Sequence, residues 1–150
     1  MRRQINLLAA ILLVAATASA TAECVDLQQP GRLAFEGTLS YRVFAGPPNY
    51  EDVRKGDAPE PGYILKLDEP MCAAGDEFVD ANDKFDLIQL FPDGTGRAAR
   101  TLAKELRRLV GRRVSVEGKS AFGAHTGHHH APLVMPISRI VPVSPPRRQR

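Results

Sequence analysis

Residues 95–118 read TGRAARTLAKELRRLVGRRVSVEG, and the change of period inside this stretch decides the fold. Leu102, Leu106, Leu109 and Val110 recur at i, i+4, i+7 and i+8, which places them on one face of a helix. Thr95 stands where an N-cap belongs, and Gly111 where a C-terminal turn belongs. Arg100, Lys104, Arg107 and Arg108 fall off the apolar face, as a solvated helix surface requires. Beyond Gly111 the period drops to two. Val114 and Val116 alternate with Arg113, Ser115 and Glu117, which predicts a strand over 113–118.

Working outward, the flanking segments read as strands. Toward the N-terminus, Phe85, Leu87, Ile88, Leu90 and Phe91 predict a strand over 85–91, ended by Asp93-Gly94. A second lies at 63–72, with Ile64, Leu65 and Leu67 apolar and Pro70 marking its end. Leu33, Phe35, Leu39, Tyr41 and Val43 predict a first strand over 32–44, kinked near Gly37. Toward the C-terminus, residues 133–143 form the last strand, interrupted by Pro136 and closed by Pro142. The expected order is three strands, one helix, two strands. That is the order of the OB-fold: a mainly β, five-stranded Greek-key barrel with its helix between strands 3 and 4. A generic α+β sandwich gives a similar string.

The chain has 150 residues and a formal net charge of +3. Arg2 and Arg3 precede a short apolar run from Leu7 to Ala16, and Ala18-Ser19-Ala20 and Ala20-Thr21-Ala22 both fit a small-residue cleavage site. Residues 1–22 therefore read as a removed export signal, too short to anchor in a bilayer. Glu23 before Cys24 argues against lipidation. One domain over 23–143 is expected, followed by a disordered basic tail at 144–150 carrying Arg147, Arg148 and Arg150. Without Arg2 and Arg3 the charge is about +1, and no basic stripe for nucleic acid is present. The expected location is periplasmic or secreted. In that compartment Cys24 and Cys72 favour one disulfide, the alternative being two buried thiols.

All four histidines fall in Ala124-His125-Thr126-Gly127-His128-His129-His130. In an OB barrel, ligands sit on the face of strands 2 and 3 between the loops joining strands 1–2 and 4–5. Those loops are the two oddest segments here: Gly46-Pro47-Pro48-Asn49-Tyr50-Glu51 and the histidine run. They are expected to meet in space, with Asn49, Tyr50, Glu51, His125, His128, His129 and His130 as a ligand or partner patch.

The two loop motifs, with Gly56-Asp57, Leu65-Lys66-Leu67-Asp68, Cys72 and Gly111-Arg112-Arg113-Val114, resemble a family of exported bacterial proteins. It is catalogued as domain of unknown function number 4431. The resemblance runs from about Phe35 to Ile140 and implies no established activity.

The chemistry open to the patch is of three kinds. His125, His128 and His130 could hold zinc, with Asp57 or Glu51 as a fourth ligand; copper or nickel also suits imidazole. In an extended segment His128 and His130 point one way and His129 the other. The histidines could instead hydrogen-bond a neighbouring loop, with Tyr50 stacking on a ligand or packing over the barrel mouth. Catalysis needs a nucleophile or acid/base pair with an orienting group, and none is recognisable. Asp76, Glu77, Asp80, Asp83 and Asp86 do not match a calcium loop. The expected function is a non-catalytic module without cofactor, binding a cell-envelope protein or small ligand. The alternatives are a zinc, copper or nickel protein and an inhibitor of a cell-wall-acting enzyme.

Overall fold

The helix forms where the period places it, as α1 at Gly96–Leu109. Leu106 and Leu109 are buried and Leu102 is half-buried against the core. Thr95 occupies the N-cap position with extended backbone, but its side chain makes no capping hydrogen bond. Val110 departs from the expected apolar face. The helix stops before it, and Val110 is the C-cap residue at 40% exposure. Gly111 then turns the chain at φ 80°, a conformation that favours glycine, and donates its N–H to the Leu39 carbonyl.

A computed structural model describes residues 23–144. The expected export signal (1–22) and all of the expected tail except Ser144 lie outside them. Among the described residues no helix is long and apolar enough to cross a membrane. The strands are β1 (Val25–Asp26), β2 (Leu33–Ala45), β3 (Pro59–Met71), β4 (Ala73–Ala74), β5 (Phe85–Pro92), β6 (Arg113–Gly118), β7 (Phe122–Gly123), β8 (Leu133–Ile137) and β9 (Arg139–Pro142). The described residues are mainly β, with one α-helix between β5 and β6 and a single 3-10 turn at Val53–Lys55. Cys24 and Cys72 form a disulfide (Sγ–Sγ 2.03 Å), and the residues that follow each cysteine pair in parallel as β1 and β4.

The large sheet runs β7-β8-β5-β3-β2-β6-β9. It is a seven-stranded order and not a closed ring of five. β2 serves two neighbours: residues 33–38 pair with β6, and residues 37–45 pair with β3. Gly37 sits at this handover, where a Cβ would run into the Lys66 carbonyl. The last expected strand is split by Ser138. β8 pairs in parallel with β5, and β9 pairs antiparallel with β6. The Ser138 N–H leaves the strand pattern to donate to the Glu117 carbonyl at 2.8 Å. β1, β4 and β7 have two residues each, too few to produce a sequence period.

The main core packs one sheet face with α1. Leu39, Leu65, Ile88, Leu106, Leu109, Val114, Val116, Leu133, Met135 and Ile137 are all buried there. A smaller layer lies on the other face. Ile64 and Val134 are also buried, yet alternation turns them opposite to Leu65 and Leu133. Ile64 pairs with Gln89, and Gln89 with Val134. The Gln89 side chain holds the histidine segment, donating to the His128 carbonyl and accepting from the His130 N–H. That segment therefore crosses this outer face of β3, β5 and β8.

Candidate functional site

The loop between β2 and β3 is shaped by one carboxylate. Asp57 is 4% exposed, the only buried charged side chain among the described residues. Its Oδ1 accepts from the Asn49 N–H (2.9 Å) and the Asn49 side-chain amide (3.0 Å). Its Oδ2 accepts from the N–H groups of Glu51 (2.8 Å) and Asp52 (3.0 Å). The backbone N–H groups of Glu51, Asn49 and Asp52 hold the Asp57 carboxyl below its usual range, against the opposing effect of burial. With both oxygens taken by this loop, Asp57 is a staple and not a spare metal ligand. Glu51 gives the site its N–H, and its side chain faces solvent.

The staple presents Tyr50. This residue has φ 58°, left-handed for a bulky non-glycine side chain, so the surrounding contacts must hold it there. Its ring lies over Gly127, where a Cβ would sit 2.8 Å from Cε1. It meets His128 edge-on, with ring centroids 5.6 Å apart. The two motif loops thus touch through Tyr50, Gly127 and His128.

The histidines separate into two pairs, on either side of a turn in which the His129 N–H donates to the Thr126 carbonyl at 3.1 Å. His128 and His130 both reach Glu60, at the start of β3. His128 Nδ1 bonds Glu60 Oε1, and His130 Nε2 bonds Glu60 Oε2 at 2.9 Å. A carboxylate only accepts, so both ring nitrogens carry protons. His128 Nε2 meets the Tyr50 hydroxyl at 3.4 Å, accepting from it when the imidazole is neutral and donating to it when the imidazole is charged. Burial raises the Glu60 pKa, but the hydrogen bonds and charges of His128 and His130 together outweigh it and hold the carboxyl below its ordinary value. His130 is 11% exposed at its side chain and stacks on Phe44, centroids 4.1 Å apart; His128 is 57% exposed.

His125 and His129 face away from Glu60. His125 stacks on Phe78 at 4.8 Å and donates from Nδ1 to the Gly123 carbonyl at 2.8 Å. The His125 N–H donates to His129 Nδ1 at 3.1 Å, and both rings lie against Phe122. Burial lowers the His129 pKa, and the neighbouring His125, His128 and His130 lower it further. The expected set of His125, His128 and His130 is therefore divided between two environments. Among the described residues, no group of three or more His, Cys, Asp or Glu side chains has the arrangement of a metal site. In the acidic segment, Asp76 and Asp80 accept from the N–H groups of Phe78 and Asn82, and Asp86 pairs with Lys66.

Residues 87–141 match a family described as a domain of unknown function, DUF4431. Comparison with curated proteins and with solved structures finds no match. The DUF4431 segment holds α1, the whole histidine run and Gln89; the Tyr50 loop and Glu60 lie outside it. Half of the hydrogen-bonded chain thus comes from the DUF4431 segment and half from the preceding hairpin.

Sequence reasoning missed Glu60, Phe44 and Gln89. Pro59-Glu60-Pro61 reads as loop, and only pairing with Phe44 and Ala45 makes it strand. Gln89 had a signal, being the one polar residue inside Leu87-Ile88-Gln89-Leu90-Phe91.

Proposed function

We propose that this chain is an exported, non-catalytic binding module of OB-like architecture that holds a ligand or partner against Tyr50 and His128. The observation that carries the reading is the chain of contacts Tyr50–His128–Glu60–His130. It fixes the orientation of an exposed aromatic ring and an exposed imidazole before any ligand arrives, which lowers the entropy lost on binding. Support for the OB-like reading comes from three pairings: the divided β2, the parallel β5–β8 pair and the antiparallel β6–β9 pair. β8, one strand in from one end of the sheet order, and β9, at the other end, are consecutive stretches of one chain. The disulfide and the N-terminal signal expected from the sequence support export.

The test is retention of components from a cell-envelope extract on the immobilised mature protein, compared with a Tyr50→Ala/His128→Ala double variant. The reading expects a component held by the native protein and lost by about tenfold or more in the double variant, with its melting temperature within a few degrees of native. Equal retention by both proteins overturns it. One equivalent of zinc held by the native protein and released in a His128→Ala/His130→Ala variant replaces it with the metal reading.

A further inference from the structure

A second recessed surface lies on the opposite face of the β2–β3 ribbon from the histidines. β2 and β3 run on past the end of α1, so their core-facing positions lose the helix as cover. Tyr41 and Tyr63 are directly paired there, with ring centroids 5.3 Å apart and planes 57° from parallel. With Pro61, Arg107 and Val110 they line an open groove of about 650 Å³. Tyr41 is 49% exposed, and Val110 is the residue that the helix end turns out of the core. Four aromatic or apolar side chains meeting one cation is not the makeup of an ordinary solvated helix surface.

The cation is uncommitted. Its neighbour Arg108 pairs with Glu105 at 2.5 Å, but among the described residues Arg107 has no carboxylate within 4.0 Å. Arg107 instead shares the wall of the groove with Tyr63. Burial raises the Tyr63 pKa, and the Arg107 charge and hydrogen bond partly offset that. A guanidinium keeps five donors in a planar fork, so contact with one phenol leaves a face able to take both oxygens of a carboxylate. The tyrosine pair supplies a wall against which a flat ring stacks or meets edge-to-face.

We propose that this groove binds a small aromatic carboxylate, its ring against Tyr41 and Tyr63 and its carboxylate on Arg107. Neither the histidine cluster nor the Tyr50 loop takes part, so the two surfaces can be tested apart.

The experiment is a backbone amide NMR titration of the mature protein with three probes. Phenylacetate has ring and charge, benzyl alcohol has the ring alone, and acetate has the charge alone. Phenylacetate is expected to shift the amides of Tyr41, Tyr63, Val110 and Gly111, and to bind about tenfold more tightly than either fragment. Arg107→Gln keeps a good helix former at an exposed position and is expected to reduce phenylacetate to the level of benzyl alcohol. Arg108→Gln, one residue on and already paired, is expected to change nothing. The proposal is overturned if phenylacetate binds no better than benzyl alcohol, if Arg107→Gln leaves that preference intact, or if the shifts map to Tyr50 and the histidines.

Discussion

Replacing Gly127 with alanine isolates the contact between the two loops. A Cβ at this position would stand 2.8, 2.9 and 3.1 Å from Cε1, Cζ and Cδ1 of Tyr50, closer than carbon atoms rest. Gly127 is not among the glycines with positive φ, so the backbone itself accepts alanine. The ring must move, and with 40% of Tyr50 exposed it can swing outward. The cost is then the packing over Gly127 and the hydroxyl bond to His128, which at 3.4 Å is near the long limit. Such a bond contributes about 0.5 kcal/mol, at the low end of the usual range. Removing a glycine restricts the unfolded chain and returns about 0.4–1 kcal/mol. The two nearly cancel. Gly127→Ala should therefore leave the urea midpoint within about 0.5 kcal/mol of native, with unchanged slope, while abolishing the Tyr50–His128 contact. The assay pairs urea unfolding with the nuclear Overhauser effect between the Tyr50 and His128 rings. If that effect persists in the variant, or stability falls by more than about 2 kcal/mol, the loops are held together by something other than this ring.

Other outcomes follow from the same geometry. Cys24→Ser/Cys72→Ser opens a loop joining positions 48 apart; the chain-entropy model expects a loss of about 4 kcal/mol, read from urea midpoints. Leu106→Ala removes a fully buried side chain and should cost about 2–5 kcal/mol, whereas Val110→Ala should cost under about 0.5 kcal/mol. Equal losses at the two positions would contradict the observed helix end. Asp57 and Glu60 have lowered folded pKa values. The unfolded chain therefore takes up their protons first, and their contribution is full above the ordinary carboxylate range and lost as pH falls from that range through the lower folded values. Asp57→Asn should flatten the acid limb of a stability–pH curve, and an unchanged limb would refute the staple. His129 also has a lowered folded pKa. Its contribution is full above the ordinary imidazole value and declines as pH falls from about 6.5 toward the folded one, so His129→Gln should remove a shallow slope just below that pH.

Much of the architecture was legible because the long elements carry strong periods. The 3.6-residue repeat through Leu102, Leu106 and Leu109 and the alternation of Val114 and Val116 survive folding unchanged. Boundaries failed where tertiary pairing overrode local chemistry. Pro59 and Pro61 read as loop but extend β3, because β2 offers partners as far as Ala45. Val110 fits the helix period but comes one residue after the helix ends, so it points out of the core. The loop motifs stood out by composition alone, and their contact through Tyr50 and His128 follows the order of the strands. The grouping of the histidines did not follow from spacing. A run of four within six positions says nothing of which rings share a carboxylate.

The sequence by itself determined the elements, their order and the oddity of two loops, since these depend on local period, turn residues and composition. Only the tertiary structure decided that Glu60, dozens of residues from the histidines, binds two of them while Phe122 and Phe78 hold the other two. Only it decided that Asp57 spends both oxygens inside its own loop. The physical reason is the same in each case. A carboxylate accepts whatever N–H groups the fold brings within about 3 Å, and distance in space is set by strand register, not by separation along the chain.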